Sequence, residues 1–161
     1  MSIIRLTPAQ FLNNRRKIIR FLRNHGDRRI TLKAIRWIKG ATKKDVEQEG
    51  FLALCALHHN IIIGVLVVAD YGRVESLIAI HKKYRNQHIA KRMVQQAIST
   101  LGKMYSRVAM DNIPSLKICF DNGMVAFHLF TGVTNKPTLW LGGGSWKKED
   151  VLEQVATISL S

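Results

Sequence analysis

Acid, cysteine and long apolar runs are what this chain has least of, and each shortage excludes something. Only 11 Asp and Glu stand against 25 Lys and Arg, a formal charge of +14 at neutral pH. A surface of balanced charge is thereby excluded, and the partners of such a chain are expected to be anionic. Two cysteines, Cys55 and Cys119, cannot make a disulfide framework in 161 residues, and no Cys or His pair has zinc-site spacing, so no metal is expected. The longest apolar run, Ile61 to Ala69, is broken by Gly64 and falls well short of the roughly eighteen residues of a membrane helix. The opening MSIIRLTPAQ lacks the layout of a secretory signal, which points to the cytoplasm. Repeats, low-complexity segments and linkers are also missing. The length suits one domain, 1–161, with a full core.

What is present centres on Ile78 to Leu101, IAIHKKYRNQHIAKRMVQQAISTL. Ile89, Ala90, Met93, Val94, Ala97, Ile98 and Leu101 recur at three- and four-residue spacing, which predicts a helix beginning near His88 with one face on a core. The first N–H groups of a helix have no intrahelical partner and carry partial positive charge, so the turn from Arg85 to Lys91 is suited to hold a phosphate. Lys82, Lys83, Arg85 and Lys91 add charge around it.

Along the rest of the chain, Ser2 to Leu6 reads as a first strand, and Thr7-Pro8 as the start of a helix carrying Phe11, Leu12, Ile18, Ile19 and Leu22 on one side. Ile30 to Ile38 reads as a second helix, after a stop at Asn24 to Asp27. Phe51 to Leu57 and Ile61 to Ala69 form a hairpin, its second strand β-branched enough to be buried on both faces. A third strand, Val74 to Ile80, delivers the central turn. Tyr105 to Asp111 is another strand, Ser115 to Phe120 a short helix, Met124 to Phe130 and Thr138 to Leu141 the last strands, and Gly142 to Gly144 a flexible loop or turn. The tail from Lys148 to Ile158 is read as helical.

Behind its apolar strand, Arg85-Asn86-Gln87-His88-Ile89-Ala90 resembles the Gln/Arg-x-x-Gly-x-Gly/Ala signature of the GNAT superfamily of acyl-CoA-dependent N-acetyltransferases. Ile80, Tyr84 and Met93 match the surrounding spacing, while the central glycine is replaced by His88. A second family stretch, Asn-x-x-Ala-x-x-x-Tyr-x-x-x-Gly-Phe, is matched in place by Asn112, Ser115, Cys119, Gly123 and Met124. The likeness runs from about Ile3 to Trp146 and implies a mixed α/β fold with a mostly antiparallel central sheet flanked by helices.

The same resemblance implies acetyl-CoA as cofactor, its pyrophosphate gripped by the backbone of Arg85, Asn86, Gln87, His88, Ile89, Ala90 and Lys91, with Asn112 beside it. It also implies that the strand at Leu77 to Ile80 parts from Tyr105 to Asp111. The pantetheine arm then pairs with backbone groups such as those of Ile78, and the Ile80 N–H meets the acetyl carbonyl. Acyl transfer to an amine needs a base and an acid. Glu75 is the candidate base, with His81 as alternative and a plain salt bridge as the competing role. Cys119 occupies the place of the family's acidic tyrosine; core packing is its competing role, and Tyr84 and Tyr105 are spare phenols.

Arg15 through Lys44 holds twelve basic residues and one acid, Asp27. Solubilising helical surfaces mix signs, and this one does not. The two helices of this segment wall the acceptor site in the resembled family, which implies an acidic acceptor or one carried on an acidic protein or nucleic acid. Two functions are therefore in play: an N-acetyltransferase working by direct attack in a ternary complex, or a basic nucleic-acid- or acidic-protein-binding protein that keeps the fold. Oligomeric state has no sequence signal.

Overall fold

Strand patterning sorts the chain into two antiparallel sheets rather than one. A computed structural model describes residues 1–26, 32–132 and 135–152. The first sheet has the order β1 (Ser2–Arg5), β2 (Leu52–His58), β3 (Ile61–Ala69), β4 (Glu75–Ile80). β3 behaves as its β-branched composition predicts: Val65, Val67 and Ala69 join the core on one face of the sheet, Leu66 and Val68 the core on the other. The first face is covered by α1 (Pro8–Asn13), α2 (Arg15–His25), α3 (Leu32–Gly40) and α4 (Lys43–Val46). The second is covered by α5 (Ile89–Leu101) and α6 (Ile113–Asp121), through Met93, Val94, Ala97 and Cys119. The second sheet has the order β5 (Lys103–Ala109), β7 (Pro137–Gly144), β6 (Val125–Thr131).

Three local expectations are corrected. The first helix is two: after a capping box between Thr7 and Gln10, the backbone leaves helical geometry at Asn14 (φ −108°, ψ 12°), whose side-chain amide donates to the Gln10 carbonyl at 2.7 Å. An Asn side chain that takes a backbone partner competes with the helical ladder, and the helix restarts at Arg15. β5 lies two residues earlier than expected. The third correction concerns Gly142 to Gly144, which form the end of β7 and pair with Tyr105, Met104 and Lys103. A Cβ on Gly142 would lie 2.5 Å from the Trp146 ring, so these glycines mark close packing and not a loop. For the second helix, the expected start at Ile30 lies outside the described residues, and most of the expected C-terminal helix does too.

α2 and α3 are pinned together at one point. The Arg15 guanidinium donates to the carbonyls of Lys39 at 3.0 Å and Ala41 at 2.8 Å, satisfying the C-terminal end of α3. No helix among the described residues is long and apolar enough to cross a membrane.

Candidate active site

β4 and β5 are the strands at which the two sheets meet, and no ladder joins them. Which groups β4 offers to the gap follows from its register. The His81 N–H donates to the Ile63 carbonyl at 2.8 Å, and backbone groups of a strand alternate edges residue by residue. Leu77 and Ala79 therefore face β3, while Ile78 and Ile80 turn their N–H and C=O groups toward β5. Two carbonyls on that edge are taken by arginines: Val74 by Arg107 at 2.9 Å and Ile80 by the Arg85 Nε at 3.4 Å.

Between the strands lies a cleft of about 870 Å³, within the size range of ligand sites. Ile78, Ile80, Arg85, Asn86, His88, Ile89, Ala90, Lys91, Asn112, Glu75 and Cys119 all line it; Gln87 is exposed and stands outside the lining. The turn that lines the Ile80 end is built on two left-handed residues, Asn86 (φ 66°) and His88 (φ 58°, ψ 17°). His88 thus adopts the conformation that glycine takes freely, at a cost of roughly 1–2 kcal/mol for a side chain with a Cβ. Its ring is exposed and makes no capping hydrogen bond to α5. The first N–H groups of that helix are left without a side-chain cap, beside the cleft.

Arg85 is spent on structure. Besides the Ile80 carbonyl, its guanidinium donates to the His25 carbonyl at the end of α2, at 2.6 Å. His25 in turn stacks on His81, ring centres 4.1 Å apart, and its Nδ1 accepts from the Lys82 N–H at 3.3 Å. Burial, then the nearby His81, Lys82 and Arg85, hold the His25 pKa below its ordinary value. The His81 Nδ1 accepts the Lys83 N–H at 3.1 Å, and His81 is absent from the cleft lining. Sequence reasoning did not find His25 as a lining residue, because it lies 50 and more positions from the central turn.

Glu75 is buried on the α3 face of β4 and packs at 3.5 Å from the Arg107 guanidinium. Burial raises its pKa, opposed by Arg107 and Lys33. Arg107 also lies 5.1 Å over the Trp140 ring, so it is held from three sides. Cys119 packs in the apolar core beneath the cleft, and burial pushes its thiol up to about 11. Asn112 caps α6, accepting the Ser115 N–H at 3.4 Å. Of the spare phenols, Tyr84 lines the cleft; Tyr105 is fully buried behind β5, where its hydroxyl donates to Asp150, and burial followed by that carboxylate pushes it up to about 12.

The family model of the acetyltransferase (GNAT) family matches residues 23–124. The chain is similar in structure to a GNAT-family acetyltransferase of Streptococcus pneumoniae, with 14% identity over 89% of this chain and 98% of that one, TM-score 0.63. It is also similar to the putative acetyltransferase yncA of Salmonella typhimurium, solved with acetyl-CoA, at 12% identity over 91% and 95%, TM-score 0.65. A third is a chimera of the spermidine N-acetyltransferase SpeG of Vibrio cholerae and hSSAT, at 13% identity over 89% and 96%, TM-score 0.64. No curated protein matches the chain in sequence.

Proposed function

The chain belongs to the GNAT acetyltransferase family, and from that premise we propose that it moves an acetyl group from acetyl-CoA to a primary amine by direct attack in a ternary complex. It is an acyl-CoA-dependent N-acetyltransferase with acetyl-CoA as cosubstrate. The observation that carries the finer reading is the parting of β4 from β5 directly beside the uncapped start of α5. One backbone edge without a strand partner and one helix N-terminus meet in a single cleft, which suits an extended arm ending in a diphosphate.

Bound there, acetyl-CoA supplies an activated thioester. The amides between Arg85 and Lys91 bind its phosphates, and the β4 edge at Ile78 holds the arm. The Ile80 N–H donates to the acetyl oxygen, where negative charge develops. An amine with a pKa of about 10.4 arrives protonated at neutral pH. Glu75 takes that proton; its burial raises its basicity, opposed by Arg107 and Lys33. As the nitrogen bonds to the acetyl carbon and the C–S bond breaks, Cys119, held protonated by burial, or solvent at the mouth would give a proton to the sulfur, and the second proton on nitrogen would leave to solvent.

Lys33, Arg107 and Lys136 share the lining with Glu75. This favours an amine that carries an anionic group, or sits on an anionic partner, over a polyamine such as the spermidine of one structural neighbour. Calorimetry tests the reading: acetyl-CoA binds with micromolar affinity, and no heat at high micromolar protein would overturn it.

A further inference from the structure

We infer that the solvent face of α2 and α3 is a docking surface for nucleic acid, gripped through its phosphodiester backbone. This goes beyond the acetyl-transfer reading and does not rest on it. Some cations of this segment are already committed. Arg15 is consumed in tying α2 to α3, Lys33 lines the cleft with Glu75, and Lys43 pairs with Glu47 at 3.8 Å. On α2 and α3 themselves Arg16, Lys17, Arg20, Arg23, Arg36 and Lys39 remain, every one exposed, and among the described residues none forms an ion pair. Neither α2 nor α3 contains a carboxylate. Such a surface repels itself unless an anion lies on it.

Its geometry is regular. Arg16, Arg20 and Arg23 fall four and three residues apart and so form one stripe of α2, on the order of 10 Å long. Arg36 and Lys39 form a second stripe on α3. The Arg15 staple fixes the two helices relative to each other, so the charges stand on a prepared platform. Two features favour phosphodiester over an acidic protein. Four of the six cations are arginines, whose planar fork matches phosphate oxygens. A protein partner would be expected to meet an apolar centre, yet the only large exposed apolar residue described on these helices is Leu32, at the start of α3. The surface also leads to the cleft, since His25, Gly26 and Lys33 line it; a strand lying along α2 and α3 passes that side of its mouth.

The test is fluorescence anisotropy with labelled single-stranded RNA, single-stranded DNA and duplex DNA of mixed sequence, the three arms separating the possible sources of the phosphates. Six phosphate contacts predict an affinity loss of roughly a thousandfold between about 50 and about 200 mM salt. Arg16→Glu/Arg20→Glu is expected to weaken binding by about thirtyfold or more and to lower the salt slope by about two. The milder Arg20→Gln/Arg23→Gln lowers the slope equally. Lys147→Glu/Lys148→Glu makes the same change of net charge on the exposed tail and is expected to cost less than about threefold. Acetyl-CoA affinity, measured on the same variants, stays at the parent value and shows that the fold and the cleft are intact. Equal loss in the tail variant, no loss in the α2 variants, or displacement of the oligonucleotide by poly-glutamate at equal charge would each overturn the proposal.

Discussion

The seam between β4 and β5 is closed at one end and open at the other. At the closed end, Gly72 presses so tightly on β5 that a Cβ would strike the Tyr105 carbonyl, and Arg107 bridges to the Val74 carbonyl and the Glu75 carboxylate. At the open end, Ile78 and Ile80 face a cleft with no strand to pair them. The closed end is over-determined: Tyr105 beneath it has no exposed surface, and its hydroxyl accepts the Lys147 N–H at 2.9 Å while donating to Asp150. The lesson is that the opening is not softness. A rigid base holds two strand edges apart, and Glu75 stands where base and opening meet.

The sharpest way to break this comparison is at Glu75 itself. Glu75→Gln is expected to lower kcat by about a hundredfold or more, the usual worth of a general base, with the acetyl-CoA dissociation constant unchanged. If Glu75 is the base it must be ionised, and with its pKa raised kcat/KM is expected to fall as pH drops through a value above its ordinary one. Arg107→Gln moves that limb to still higher pH. The linkage has the opposite sense for stability: a raised carboxylate pKa favours the fold fully below the unfolded value and loses that contribution as pH rises through the folded one. At neutral pH Glu75 therefore strains the fold, and Glu75→Gln should leave Tm unchanged or higher. A fall of several degrees with kcat intact would make Glu75 a structural ion pair and nothing more.

The closed end is tested by stability. Gly72 has φ 95° and meets backbone, which cannot yield as a side chain would, so Gly72→Ala is expected to cost about 3 kcal/mol or more in urea denaturation. Tyr105→Phe removes a buried hydroxyl with two partners and is expected to cost about 1–3 kcal/mol. The same group sets an alkaline limit. With Tyr105 raised to about 12, its contribution holds below the unfolded phenol pKa and is lost as pH rises through about 12. Asp150, lowered chiefly by the Tyr105 hydroxyl, contributes above the unfolded carboxylate pKa and loses that contribution as pH falls through its lower folded value. If Tyr105→Phe leaves both stability and its pH profile unmoved, the closed end is not the anchor described here.

What the residues announced in advance follows the same division. β3 and α5 were legible because an unbroken β-branched run and a 3.6-residue period are written in contiguous residues, and the turn at Arg85 to Ala90 because its spacing is local. The Glu75–Arg107 pair was not, since the partners lie 32 positions apart and a lone carboxylate carries no spacing signal. Gly142 to Gly144 misled for a related reason: glycine reads as a loop unless one knows that Trp146, Ile98 and Met124 fill the space their side chains would occupy. The break at Asn14 was hidden because apolar spacing continues on both sides of it.

His88 is the smallest perturbation and the one that bears most directly on the open end. Its left-handed backbone is already that of the glycine it replaces, so His88→Gly relieves local strain. The gain is offset by the extra freedom of glycine in the unfolded chain, about 0.5–1 kcal/mol, and stability should hardly move. Binding is where the variant speaks. If the backbone amides of the turn hold the diphosphate, removing an exposed ring that makes no cap to α5 leaves acetyl-CoA affinity unchanged or tightens it by a few fold. A loss of tenfold or more would mean that the imidazole itself grips the phosphates. The open end would then owe its anion to a side chain, and the contrast between a backbone-lined mouth and a side-chain-locked base would fall with it.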